Sequence, residues 1–339
     1  MKPLALLLLA LSLSLPYPPA LARGELLVGN KSDDTVWRLS LEDGRKLGEV
    51  RTGPGPHEIT VSADGRMALV TDYGHQQPAH SLTVIDIASD MATRSIDLGM
   101  HRRPHGIRFL PDGSVLVTAE QSHALVRVDP VGGEILQAIE VDDGIGHMVA
   151  VSADGTVAYV SKIASGTVVR VEVASGKVTH ERPAGQGAEG IEVAPDGNVW
   201  VTNRAEDTVT VHDPGTLAVR ATLDSPGFPI RVVFTPDGRH ALVTNATAGT
   251  LSVFDATTHA TVATVPLVAE GETFRDTMLG QGALPIGVIA DPARPRVYVA
   301  ISGANRIAVV DSATWKVVDY WDTGNQPDAL GIVPAGEGG

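Results

Sequence analysis

The sequence predicts an all-β fold, a seven-bladed β-propeller with four-stranded blades, and three observations carry that prediction. A short apolar strand recurs seven times: Leu26-Leu27-Val28-Gly29-Asn30, Ala68-Leu69-Val70-Thr71-Asp72, Val115-Leu116-Val117-Thr118, Ala158-Tyr159-Val160-Ser161, Val199-Trp200-Val201-Thr202-Asn203, Ala241-Leu242-Val243-Thr244-Asn245 and Val297-Tyr298-Val299-Ala300. Counted from the shared valine, the steps are 42, 47, 43, 41, 42 and 56 residues, the spacing of one four-stranded blade per copy. The chain also enters at the second strand of a blade, and residues 328–333 supply the missing first strand from the far end, so one blade is built from both termini.

Within each copy the order is constant. The first strand leads through a polar loop to an alternating strand, such as Leu82-Thr83-Val84-Ile85-Asp86 or Leu251-Ser252-Val253-Phe254-Asp255. A third strand follows (residues 45–50, 93–98 and 134–141 in the first three copies), then a more apolar one that runs into an Asp-Gly turn. Those turns are Asp64-Gly65, Asp112-Gly113, Asp154-Gly155, Asp196-Gly197 and Asp237-Gly238. β-Branched residues, period-two alternation and glycine-marked turns at this spacing are strand and hairpin signals. Aspartates at the strand ends (Asp86, Asp129, Asp213, Asp255, Asp311) read as turn starters that accept local backbone hydrogen bonds. The sixth copy departs from the pattern: Asp291-Pro292-Ala293-Arg294 replaces its Asp-Gly turn, and an insertion at 268–283, with Glu270, Glu272, Arg275, Asp276 and Met278, precedes it. A loop that long suggests a lid over the channel mouth or, equally, a mobile and non-essential loop.

Composition narrows the function. Lys+Arg 26 against Asp+Glu 40 gives a net charge of −14, which argues against nucleic acid or an anionic membrane as partner. With no Cys there is no disulfide, no covalent c-type haem, no iron–sulfur cluster and no thiol nucleophile. Lys2, an apolar run at 4–15, prolines at 16–19 and Ala20-Leu21-Ala22 read as a cleavable signal peptide over 1–22. That leaves 23–339 as a single propeller domain, periplasmic or secreted, without a lipid-anchor cysteine or a membrane span, and expected to be monomeric.

The units such as Val201-Thr202-Asn203, and the Pro-His-Gly-Ile…Pro-Asp-Gly run at 104–113, resemble the YVTN-type β-propeller repeat family across residues 25–334. That resemblance implies a propeller whose function is open, since such proteins include binding proteins, surface proteins and some enzymes.

Aligning the seven innermost strands places His57, His105, His147, Glu189, Ile230, Ile286 and Asp328 at one equivalent position. Around the ring this makes five adjacent polar groups facing the channel mouth and an apolar arc opposite. Neutral imidazoles with carboxylates are good ligands for a divalent transition metal. His57, His105 and His147 are therefore candidate metal ligands, with Glu189 or Asp328 as a further ligand or general base. The same histidines could instead line the mouth structurally, each bonded to a neighbouring blade's backbone. Asp72, Tyr73, His75, His80, Glu120, His123, Lys162, Asn203, Arg204 and Arg231 fall on the same rim as candidate ligand-binding residues, and seven of eleven histidines sit there. The expected function is capture of a small ligand, a metal or a periplasmic partner protein at this mouth. The alternative is a metal-dependent lyase or hydrolase, the class of the similar streptogramin-lyase and lactonase propellers. A third possibility is a docking accessory of a periplasmic redox or cofactor system.

Overall fold

The computed structural model describes residues 24–87, 92–277 and 280–335. The expected signal peptide and Met278 lie outside the described residues. Seven antiparallel four-stranded sheets stand around an axis, as the repeats predict. Their innermost strands are Pro56–Val61, Pro104–Phe109, Gly146–Val151, Ala188–Val193, Pro229–Phe234, Pro285–Ala290 and Pro327–Val333. We number the blades one to seven in that order. Blade seven joins the termini: Pro327–Val333 pairs with Glu25–Asn30 in the register Val28↔Leu330 and Glu25↔Val333.

Burial follows the radial position of each strand. The second strands, such as Val115–Ala119, are buried on both faces, while outer strands such as Val219–Asp224 are mostly exposed. The core is a set of seams between neighbouring blades. One seam packs Leu69, Leu82, Val84 and Ile96 of blade one against Ile107, Val115, Val117 and Val126 of blade two.

Three repeated devices aim the inner strands at the axis. The residue before each inner strand is left-handed in all seven blades: Gly55, Arg103, Ile145, Gly187, Phe228, Leu284 and Gln326 have φ between 49° and 69°. Five of the seven are not glycine, and for an L-residue this conformation costs about 1–2 kcal/mol. Its carbonyl is held by a backbone amide at the end of the second strand or just past it, as in Tyr73 N–H to Gly55 and Arg204 N–H to Gly187, both 3.1 Å.

A β-bulge then follows at once. In blade one the register steps from Pro56↔Asp72 to Ile59↔Val70, three residues against two, and blades two, four, five and six repeat it. A bulge of this kind re-aims side chains, and here it swings His57 and Glu58, and their equivalents, toward the axis.

The third device is the hydroxyl of the Val-Thr motif. Thr118 Oγ1 accepts the Gly106 amide at 2.8 Å inside the bulge and donates to the His147 carbonyl of the next blade at 2.6 Å. Thr202 does the same for Gly190 and Ile230, at 2.8 and 3.0 Å. The repeated threonine is thus a clamp between blades at the height of the candidate site.

Glycine at 190 permits that close approach, because a Cβ there would lie 2.3 Å from the Ile230 carbonyl oxygen. Gly190→Ala is expected to force blades four and five apart and to destabilise the protein by about 3 kcal/mol. Gly48→Ala, where the added Cβ meets nothing closer than 3.7 Å, should be close to neutral, and urea unfolding of the two variants beside the wild type measures the difference.

Candidate functional site

The five polar residues of the aligned position come together. His57, His105, His147, Glu189 and Asp328 are all buried, between 1% and 9% exposed. The three imidazoles follow one another in ring order, tilted by 54° and 40°, with centroids 4.1 Å apart for His57–His105 and 3.8 Å for His105–His147. On the other arc, Ile230 and Ile286 close the channel with Phe228, Ala246 and Leu284.

The cluster has two halves. In the first, His147 Nδ1 meets Glu120 Oε1 at 2.5 Å, and its Nε2 stands 3.5 Å from Glu189 Oε1. Glu120 Oε2 accepts the Tyr73 hydroxyl at 2.6 Å. Donor atoms of His105, Glu120 and His147 all lie within 4.8 Å of one another. Among the described residues, no hydrogen-bond partner meets the buried His105 Nδ1, and His147 Nε2 has only the long contact to Glu189. In the second half, His57 Nδ1 lies 2.9 Å from Asp328 Oδ2, and Lys31 Nζ reaches His57 Nε2 at 3.0 Å and Asp328 Oδ2 at 3.4 Å.

Electrostatics separate these groups. Burial, and the neighbouring His147 and His57, hold His105 well below the usual imidazole range, so it is neutral. Burial also opposes charge on His147, but its bonds to Glu120 and Glu189 outweigh that and raise it. Burial would raise Glu189 too, yet His147, Arg204 and Arg231 bring it down to about 2. Asp328 is likewise held low, against its burial, by His57 and Lys31.

Below the imidazoles, Arg231 crosses the axis to Glu58 and approaches Glu189 at 3.5 Å. On its far side a cavity of about 450 Å³ opens toward the Asp-Gly rim, lined by Ile59, Val61, Ile191, Val232 and the Arg108–Glu192 pair. Above the imidazoles, Arg204 holds Glu189 Oε2 at 2.7 Å, and Arg103 lies over the Tyr73 ring at 4.6 Å.

The remaining rim residues stand elsewhere. Asp72 is buried inside blade one, taking hydrogen bonds from Ser81 and Thr83 at 2.7 and 2.9 Å. Asn203 is bonded to Thr208 and Thr210 within blade four, and Lys162 is paired with Glu181 at 3.0 Å. His75, His80 and His123 lie on the rim near the carboxylates Asp34, Asp97 and Asp143. The insertion at 268–283 docks on blade six and the closing loop, through Phe274 in that core, Glu272–Arg306 at 2.9 Å and Arg275–Asn325 at 3.1 Å.

Three members of the site, Lys31, Glu58 and Arg103, were not among the residues the sequence singled out. Lys31 follows the second strand as Glu120 and Arg204 do in their blades, so the repeat alignment carried its signal.

No protein-family model matches the sequence, and no curated protein does. Solved structures do. A functionally unknown protein from Desulfotomaculum acetoxidans has a TM-score of 0.74 at 16% identity, covering 91% of this chain and 98% of that one. A putative 6-phosphogluconolactonase from Bacteroides fragilis also scores 0.74, at 15% identity, covering 93% and 99%. The virginiamycin B lyase of Staphylococcus aureus scores 0.66 at 15% identity, covering 79% and 84%. The likeness is one of fold. It supports the seven-bladed propeller, and functional arguments rest on the site itself. Among the described residues, no helix is long and apolar enough to cross a membrane.

Proposed function

We propose that the protein is an exported propeller of the YVTN type that binds one divalent transition metal through His105, His147 and Glu120. The observation that carries this reading is that ligand atoms of His105, His147 and Glu120 lie within 4.8 Å of one another, with His105 Nδ1 buried and without a hydrogen bond. A buried polar atom left unpaired costs about 1–3 kcal/mol, and a metal would satisfy His105 Nδ1. Ligands about 2.1 Å from one ion stand at most about 4 Å apart, so a small inward movement of these side chains suffices. Tyr73, bonded to the second oxygen of Glu120, would orient that carboxylate as supporting groups around metal ligands do.

Titration calorimetry with Zn²⁺ on chelator-treated protein tests this. One equivalent is expected to bind to the wild type and to His57→Ala, with at least a tenfold loss in His105→Ala and Glu120→Gln. Equal affinity in all four proteins would count against the centre. The pH dependence has a definite sign. The metal needs neutral His147, whose proton is held by Glu120 and Glu189, so affinity should fall about tenfold per unit as pH drops below that raised value.

A second reading makes the metal catalytic, as the Lewis acid of a lyase or hydrolase of the kind that shares this fold. The observation that favours it is the Lys31–His57–Asp328 group beside the metal half, an imidazole oriented by a carboxylate with an amine at its other nitrogen. Chelator-sensitive opening of an ester or lactone, lost in His57→Ala with the metal retained, is the result that reading expects.

A further inference from the structure

Charge is layered along the axis at this mouth. The carboxylates lie deep: the side chains of Asp328, Glu189, Glu120 and Glu58 are 3%, 6%, 11% and 12% exposed. The cations above them lie nearer solvent, with Lys31 15% and Arg204 29% exposed. Arg103 is half-buried over Tyr73, and Arg204 lies 5.1 Å from the Phe228 ring. Three cations (Lys31, Arg103, Arg204) and two aromatic rings (Tyr73, Phe228) therefore gather above the histidines of a chain whose net charge is −14. Field lines focused into such a mouth raise the local concentration of anions.

The charges beneath point the same way. The groups tied together by ion pairs are four carboxylates (Glu58, Glu120, Glu189, Asp328) and three cations (Lys31, Arg204, Arg231). With the imidazoles neutral, as metal binding requires, a divalent metal among them changes that sum from −1 to +1. Uncompensated charge in a buried site is costly, so the metal-bound state favours one added anion. The same carboxylate that could turn to the metal, Glu189, is the one that Arg204 holds at 2.7 Å. Its withdrawal would leave a guanidinium with two N–H groups suited to an oxyanion.

We infer that the ligand of this mouth is a small oxyanion, a carboxylate or a phosphate, seated against Arg204 and Lys31 over the histidine cluster. The inference rests on the metal reading for its full strength, while the layered charge stands without it.

The test is calorimetry of the full chain with oxalate, with inorganic phosphate and with oxamide, the neutral isostere of oxalate, each with and without Zn²⁺. At least one oxyanion is expected to bind the Zn²⁺-loaded protein tenfold or more tighter than oxamide, and oxalate against phosphate separates the planar from the tetrahedral class. Arg204→Gln and Lys31→Gln should each weaken that binding at least tenfold while the metal content stays at one per chain. Thermal melting of both variants checks that they are folded; if one is not, Arg103→Gln, which should weaken oxyanion binding in the same direction, takes its place. Oxalate and phosphate no tighter than oxamide on metal-loaded protein would overturn the oxyanion and leave the metal centre standing. A protein that takes up no Zn²⁺ would sink the metal reading, and the oxalate-to-oxamide ratio of the metal-free protein then decides the mouth alone: a ratio near one ends the inference.

Discussion

Asp72→Asn is expected to stabilise the protein above neutral pH and to flatten its stability profile between about pH 4 and 7. Burial pushes the Asp72 carboxyl up to about 7, against the Ser81 and Thr83 hydroxyls bonded to it, and the Asp34 charge adds to that push. The native state therefore holds a proton that the unfolded chain, titrating near 3.8, has released. Stability on this account is fully present below the unfolded value and is lost as pH rises through the folded one. A shift of about three units corresponds to about 4 kcal/mol at most. The repeats name the remedy. Asn30, Asn203 and Asn245 occupy the same position, and Asn245 Nδ2 donates to Thr250 and Ser252 at 3.1 and 2.8 Å, the counterparts of Ser81 and Thr83. Urea unfolding at pH 5 and pH 8 measures the effect. A wild type equally stable at both values, with Asp72→Asn no better at pH 8, would show that Asp72 titrates normally.

Arg231→Met should be the most damaging single change at the axis. Its side chain is 8% exposed and lies between Glu58 and Glu189, so the variant leaves Glu58 a buried carboxylate without its cation. Removing one partner of a buried pair costs about 3–5 kcal/mol, whereas replacing both is often close to neutral. The double variant Arg231→Met/Glu58→Gln is therefore expected to recover most of the loss. Glu189 keeps Arg204 at 2.7 Å in either case, which confines the effect to the Glu58 side. A double variant as unstable as the single one would mean that Arg231 acts by packing rather than by charge.

Much of this was legible before any coordinates. The seven strand copies predict the blades and the closure, and aligning them puts His57, His105, His147, Glu189 and Asp328 at one level. The bulge was not legible, because it is a backbone register shift with no residue signature. It turns two successive residues per blade toward the axis, which is why Glu58 escaped notice although Arg231 stands at the same aligned position across the ring. The division of the cluster into a His105–Glu120–His147 half and a Lys31–His57–Asp328 half depends on side-chain directions that spacing does not encode. Conversely, Asp72 and Asn203 read as mouth residues from their loop, yet the Asn or Asp recurring there at 30, 72, 203 and 245 marks a strand clamp inside each blade.

The most direct test of the proposed metal centre is elemental analysis of the protein, purified without a polyhistidine tag or chelator, alongside the folded His105→Ala/Glu120→Gln variant. The account predicts about one equivalent of a transition metal per chain in the wild type and none in the variant. Metal-free wild type that stays so after soaking in Zn²⁺, Mn²⁺ and Ni²⁺ would contradict it.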